Sequence, residues 1–392
     1  MGLKQEPVAG VQPDVLLWAR MTIGLSLHDV AQRLGRTVEE VEAWETGASA
    51  PTYSQLEKLA YQVYKRPLAV FFLPTPPLET LPNREFRTLP DTDLESLLPD
   101  TYFQIRRAHA FQLALKDLYN NRNPLTRRIW KSVVLSPSDP VAMQAARIRE
   151  FLQISPADQA AWGGDEIGLK KWRQAIEDAG VFVFKAAFKQ KDISGFCLID
   201  EQLPLIYLNN STTKTRQTFS LLHELAHLLL SINGLSKLDS GYIDRLPFTE
   251  RSIERFCNGM AAEVLIPSVD FALQTRHFPS DVERTPDDQF ADLARRYGVS
   301  REAILRRFLD QGKVSQTYYD QKARAWTAQK KPVSGGDWYL NQGAYLSDRF
   351  THEVVSRHYQ QRITLEHAAD LLGIKPKRFR EFEERILSGA AA

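Results

Sequence analysis

The chain has 392 residues, 43% apolar and 25% charged, with 50 basic against 48 acidic side chains and a formal net charge of +2 at pH 7. At about 150 residues per domain this length predicts two or three domains, and the composition excludes a disordered chain. The near-even charge balance excludes a strongly basic protein living on phosphate contacts, so any nucleic-acid contact must come from a local surface. Two cysteines, Cys197 and Cys257, are too few for a disulfide framework or a Cys-rich zinc site. No apolar run approaches the roughly 18 residues of a membrane span, and Met1–Pro13 shows no secretory pattern. A cytoplasmic protein without membrane contact is expected.

Residues 10–73 carry helical periodicity and predict a five-helix unit. Its core is expected from Leu17, Ala19, Val30, Ala31, Leu34, Val41, Trp44, Leu56, Leu59 and Ala60. Ser26 with Asp29 three residues on has the spacing of a capping box, Gly35 marks a tight turn, and Thr37 can cap the next helix. The string Leu25-Ser26-x-x-Asp29-Val30-Ala31-x-x-Leu34-Gly35, followed by Val41-x-x-Trp44-Glu45-x-Gly47 and Pro51-Thr52, resembles the Cro/C1-type helix-turn-helix family. The resemblance implies DNA contacts around Arg36, Thr37 and Glu39. Residues 26–47 nevertheless carry a net charge of −3, with Glu39, Glu40, Glu42 and Glu45 on the recognition helix. Phosphates are repelled there unless Arg20, Lys58, Lys65 or Arg66 approaches the backbone. The alternative is a helical module that binds protein.

The prolines from Leu73 to Pro77, then Leu81-Pro82 and Leu89-Pro90, predict a linker. A long helix follows from Asp100 to about Asn121, with Phe103, Ala110, Leu113 and Leu118 among its apolar positions, and further helices cover 140–153 and 166–179. The period then changes. Val181–Phe184, Phe196–Ile199 and Pro204–Leu208 read as strands of a small antiparallel sheet, with Phe196–Ile199 as an edge open to an extended substrate. Helical signals return from Thr215 to Ser231 and from Ile253 to Leu265.

The sharpest motif is His223-Glu224-Leu225-Ala226-His227 on the first of these helices. Histidines four apart project from one face and can bind one zinc ion, and the adjacent glutamate can act on a water beside the metal. Such a pattern arises by chance about 0.01 times in a chain of this length and composition. Flanking leucines make the helix apolar nearly all round, so its polar groups must be satisfied inside the fold. A third ligand is needed, and Glu254, Asp239, Asp244, Glu250 and Glu263 are all within reach in sequence. Cys257 reads as a small buried apolar side chain.

The motif, the strand runs before it, and Glu254-x-x-x-Asn258-x-x-Ala261-Ala262-x-x-Leu265-x-Pro267 together resemble the ImmA/IrrE family of bacterial metallopeptidases. The resemblance implies His223, His227 and Glu254 as zinc ligands, Glu224 as general base and Asn258 as a supporting residue. It also implies regulated proteolysis of a repressor or similar protein.

Pro332–Gly336 is a second linker candidate. Beyond it, Ile363–Ile374 followed by Lys375-Pro376-Lys377-Arg378-Phe379-Arg380 resembles a degenerate helix-turn-helix, with a solvated charged face as the plainer reading. His109, His277, His352, His358 and His367 have no ligand spacing. The expected fold is multidomain and mainly α, with an α+β zincin-like core. The expected divisions are a helix-turn-helix at 10–73, a linker and helical segment at 74–165, a metallopeptidase core at 166–275, an extension at 276–331 and a C-terminal helical domain at 332–392. Expected partners are a protein substrate (a regulatory protein or toxin), DNA, and a second copy of the chain. The competing reading is a non-proteolytic transcriptional regulator or antitoxin that uses the peptidase-like fold for binding or sensing.

Overall fold

The computed structural model describes residues 6–78, 97–237, 240–328 and 345–387. Leu81-Pro82, Leu89-Pro90, Asp239 and Pro332–Gly336 lie outside the described residues. The chain divides into two compact units, one of Met1–Arg107 with Phe188–Gln190, the other of Ala108–Ala187 with Lys191–Ala392. Among the described residues there are eighteen α-helices and one four-stranded sheet. No single described helix is long and apolar enough to cross a membrane.

In the first unit, α1 (Pro13–Met21), α2 (Leu27–Leu34), α3 (Val38–Glu45) and α4 (Tyr53–Lys58) are α-helical, and α4 runs on through a π turn at Leu59–Val63. The fifth expected helix is a short 3₁₀ segment, Leu68–Phe72, set off from α4 by Lys65 at φ +53° and by Pro67. The expected caps are present. Ser26 N donates to Asp29 Oδ2 at 2.9 Å and Asp29 N to Ser26 Oγ at 3.1 Å, while the Ser26 hydroxyl and then its amide, both donating to the carboxylate, hold the Asp29 carboxyl below its ordinary range. Gly35 is left-handed, with φ +64°, and Thr37 Oγ1 accepts from Glu40 N. Replacing Ser26 by Ala should destabilise this unit by about 1 kcal/mol, the usual size of a lost cap, read as an earlier urea midpoint.

The core differs from expectation at one position. Leu17 is 38% exposed, and Val15, Leu16 and Ala19 form the inward face of α1 instead. Two of the basic residues that would have to approach a phosphate backbone for this face to meet DNA are committed internally. Arg20 Nε lies 2.8 Å from Glu45 Oε1, and Arg66 sits 3.8 Å over the Trp18 ring while donating to Thr22 Oγ1 at 2.7 Å.

In α5 (Pro99–Leu118) the buried stripe is Ile105, Ala108, Phe111, Leu115 and Leu118, whereas Leu113 is 62% exposed. The second unit continues with α6 (Ile129–Ser132), α7 (Val141–Leu152), α8 (Pro156–Ala161) and α9 (Asp165–Asp178). The sheet follows as β1 (Phe182–Ala186), β2 (Ile193–Leu198) and β3 (Leu205–Asn209), and after α10 (Lys214–Leu229) comes a strand the sequence did not announce, β4 (Leu235–Lys237). The strand order is β1-β3-β2-β4.

Two expectations are corrected here. The sheet is mixed, because β1 pairs with β3 in parallel while β2 is antiparallel to both β3 and β4. The β2 strand, which includes most of Phe196–Ile199, is interior and has no free edge. A β4 of only three residues is too short to show periodicity, and it takes the edge that β2 was expected to occupy.

Every residue of β2 and β3 is buried, because both faces of the sheet are covered. Side chains alternate as pleating requires. Val183, Cys197, Ile206 and Leu208 join the core that contains α10, while Phe184 stacks at 4.3 Å on Phe111 and Phe196 at 5.2 Å on Tyr207.

After the sheet come α11 (Phe248–Leu265), α12 (Ser268–Gln274), α13 (Asp287–Tyr297), α14 (Arg301–Asp310) and α15 (Gln316–Ala328). Phe308 on α14 packs among Phe271, Phe278 and Phe290, with ring centroids 5.0 to 5.9 Å away. The chain ends in α16 (Asp348–Tyr359), α17 (Leu365–Leu372) and α18 (Phe379–Leu387). Phe350 on α16 sets its edge against Phe111 and Phe184, and Arg349 pairs with Asp178. Lys375, Lys377 and Arg380 are exposed at the turn between α17 and α18.

Candidate metal centre

The site grows from two helices packed against each other. Thr213 caps α10 by accepting from Arg216 N, and the helix runs sixteen residues, buried from Ser220 to Leu229. That burial follows from its leucines, which face the sheet on one side and α11 on the other. His223 and His227, one turn apart, are turned toward α11. Glu254 sits opposite them in the first half of α11.

The three side chains converge. Their ligand atoms lie within 4.8 Å of one another. His223 Nε2 is 3.0 Å from His227 Nε2, while Glu254 Oε2 lies 3.4 Å from His223 Nε2 and Glu254 Oε1 lies 3.1 Å from His227 Nε2. A tetrahedral zinc with bonds near 2.1 Å needs ligand separations of about 3.4 Å, so these spacings are close to those of such an ion. Two imidazoles and a carboxylate are also the donor set that zinc favours. Burial alone would raise the Glu254 carboxyl, but His227 and His223 hold it well below the ordinary range. It is therefore poised as an anionic donor.

Glu224 points elsewhere on the same turn. It is fully buried, and Ser236 of β4 donates its hydroxyl to Oε1. Burial raises the Glu224 carboxyl above its ordinary range, with His223 and His227 opposing. Its Oε2 has no hydrogen-bond partner among the described residues, which leaves an acceptor facing the interior. Ser236 is itself fixed by β4 pairing and by Ser194 Oγ, which donates to the Ser236 carbonyl at 3.1 Å.

Gly234 completes the wall. A Cβ there would lie 2.6 Å from the His227 ring and 2.9 Å from Glu224 Oε2, so only glycine lets the backbone pass this close. The chain reaches it from α10 through Ser231 at φ +57°. Gly234 is then locked to β2, with Cys197 N donating to Gly234 O at 3.0 Å. Gly234 and Ser236 were not singled out from the sequence. The Asn233-Gly234 pair, a turn signal just past a helix end, was the one available hint.

Residues 176–309 match the family model of the IrrE N-terminal-like domain. No curated protein matches the chain. The match runs from the end of α9 through α14, so this IrrE-like domain contains the whole His-His-Glu cluster, Glu224 and β4. Residues 10–73, expected from the sequence to form a helix-turn-helix, lie outside it.

The other candidates for a third ligand are held apart from the IrrE-like centre. Asp244 is exposed and pairs with Arg255 at 2.9 Å, while Glu263 sits at the far end of α11, bonded to Ser268 and Arg307. Glu250 is partly exposed in the first turn of α11 and does not join the cluster. Asn258, one turn after Glu254, is partly buried and makes no side-chain hydrogen bond among the described residues. Cys257 is fully buried, and burial pushes its thiol up. In the first unit Arg36, Thr37 and Glu39 are all exposed, with Arg36 3.6 Å from Glu40.

Proposed function

We propose that this protein is a zinc-dependent regulatory endopeptidase that cleaves a repressor or another regulatory protein in the cytoplasm, with a helix-turn-helix unit as its second binding surface. The observation that carries this reading is the convergence of His223, His227 and Glu254 beside a buried carboxylate, Glu224, within the IrrE-like domain. His223, His227 and Glu254 would hold the metal. Zinc bound there supplies Lewis-acid polarisation of the scissile carbonyl and acidifies a water. Glu224, aimed by Ser236, takes the proton of the attacking water and hands it to the leaving amine. A carboxyl raised by burial is suited to both halves of that transfer. Asn258, one turn on from Glu254, keeps the supporting role that the family resemblance implies. In this reading the working parts are the helix-turn-helix at 10–73, the linker and helical segment at 74–165, the peptidase core at 166–275, its extension at 276–331 and the C-terminal helices at 332–392.

Metal analysis tests the assignment. Purified wild type should carry about one zinc per chain, and His227→Ala and Glu254→Ala should each lose it. Well-folded wild-type protein that takes up no zinc would end this reading.

A second reading rests on a specific observation. Glu224, His227 and Glu254 are each 0% exposed and His223 is 3% exposed, so the centre is nearly closed to the surface among the described residues. That closure favours a regulator or antitoxin in which the metal has a structural or sensing role. In such a protein the exposed Arg36, Thr37 and Glu39 would meet DNA, or the helical unit would meet a partner toxin or a second copy of the chain.

A further inference from the structure

The last three helices reproduce a frame found in the first unit, with its outward charge reversed. In α2, Ser26 caps a helix of eight residues that Gly35 ends in the left-handed region, and Thr37 opens α3. In α17, Thr364 caps a helix of eight residues that Gly373 ends at φ +67°. Lys375 then opens a 3₁₀ turn, Pro376–Arg378, that runs into α18. The two helix ends close alike, with Arg36 N donating to Ala31 O and Ile374 N to Ala369 O, each at 2.9 Å. Counted from the caps, the two stretches correspond residue for residue without insertion.

The inward positions agree as well. Val41 and Trp44 on α3 have Phe379 and Phe382 on α18 as counterparts, and all four are buried. Glu45, at the end of α3, pairs with Arg20 of α1, and its counterpart Glu383 accepts from Tyr359 Oη of α16 at 2.7 Å. Each glutamate therefore ties the second helix of its frame to the helix before the frame.

The outward positions disagree in sign. Glu39, Glu40 and Glu42 on α3 have Lys377, Arg378 and Arg380 as counterparts, and Thr37 has Lys375. Lys375, Lys377 and Arg380 are exposed and Arg378 is half-buried. Arg380 lies 3.1 Å from Glu384, an exposed contact one helical turn apart and weak enough for a phosphate to displace. The exposed acids of this frame, Glu366 and Asp370 on α17 and Glu381 and Glu384 on α18, precede or follow the basic stretch in the chain. In a helix-turn-helix, the turn and the start of the second helix are what meets the duplex, so the sign of the charge there decides whether phosphates are drawn in or repelled.

We propose that α17, the Gly373 turn and the start of α18 work as a helix-turn-helix that binds duplex DNA, with Lys375, Lys377, Arg378 and Arg380 on the phosphates. An acidic protein would also be attracted by four cations. The placement of those cations at the head of the second helix, in a frame with matching caps, turn and core, favours a duplex. The surface lies outside the IrrE-like match at residues 176–309, and the inference does not depend on peptidase activity.

The test is fluorescence anisotropy of the full chain with a labelled mixed-sequence duplex of about 30 base pairs, titrated between about 50 and 200 mM salt. Wild type should bind saturably, and log affinity should fall against log salt with a slope of roughly −3 to −4, as four phosphate contacts require. Lys375→Gln with Lys377→Gln should reduce the steepness of that slope by about 2. Lys375→Glu with Lys377→Glu should cost at least about tenfold in affinity. Both positions are exposed, so the urea midpoint should stay at the wild-type value. Lys170→Glu with Lys171→Glu, on the exposed side of α9, makes the same change in net charge and should cost less than about twofold. Poly-glutamate should bind at least about tenfold more weakly than the duplex, because its charges are less dense. No binding at about 50 mM salt, affinity untouched by the reversals at 375 and 377, or an equal loss from those at 170 and 171 would each overturn the proposal. Poly-glutamate bound as tightly as the duplex would overturn it too, in favour of an acidic protein partner.

Discussion

Replacing Glu224 by Gln is expected to lower peptide-bond hydrolysis by roughly 10²–10⁴-fold, the usual contribution of a positioned general base. The variant should keep the zinc content of the wild type. The substitution is nearly isosteric, and Ser236 can still donate to the amide oxygen where it now donates to Oε1. Neither histidine nor Glu254 depends on the Glu224 charge for its place, since their convergence is set by the packing of α10 on α11. What disappears is the ability to accept a proton. The readout is turnover of a co-expressed candidate repressor, followed by gel, with metal analysis on the same preparation. Undiminished turnover would remove Glu224 from the chemistry. A variant that loses activity and zinc together would show that the carboxylate supports the site instead.

Replacing Gly234 by Ala is expected to weaken zinc binding by about 10- to 100-fold, the scale seen when a residue supporting a metal ligand is lost. The added methyl group would press on the His227 ring at 2.6 Å and on Glu224 Oε2 at 2.9 Å. Neither neighbour can yield easily. His227 is enclosed within α10, and the Gly234 backbone is bound to β2 through the Cys197 amide. Overpacking of this kind also destabilises by about 1–3 kcal/mol. Competition with a chelator of known affinity gives the first number and urea denaturation the second. Wild-type values in both would mean that the strand before β4 can retreat from the helix, and that the tight fit is not needed.

The metal helix was the most legible part of the sequence, because two histidines and a glutamate at fixed spacing carry both a geometry and a chemistry. The caps at Ser26, Gly35 and Thr37 were equally readable, since each rests on local backbone bonding that needs no distant partner. Legibility fell wherever tertiary partners decide. Leu17 and Leu113 look like core by hydrophobicity, yet each lies on the outward side of its helix. Strand order is invisible in a string of short apolar runs, so β2 looked like an edge until β4 was seen to cover it. The parallel pairing of β1 with β3 likewise depends on where the chain crosses, which no residue in either strand encodes. Arg20 and Arg66 counted as available cations in one dimension, and in three they serve Glu45 and Trp18. The same pairing changes the electrostatics of the first unit, since part of the acidic excess of α3 is neutralised internally.

The brevity of β4 bears on how another polypeptide can be held, and on how unwanted ones are refused. A long, flat, unpaired strand edge invites aggregation, and folded proteins guard against it with short edge strands, charges and bulges. All three devices occur here. β4 spans three residues, its pairing with β2 is irregular between Ile193 and Gly195, and Lys237 is engaged with Asp192 at 3.4 Å. An extended guest laid along this rim gains only a few main-chain hydrogen bonds, too few to capture arbitrary unfolded chains. Selectivity toward any guest must then come from side-chain pockets and from contacts beyond the rim.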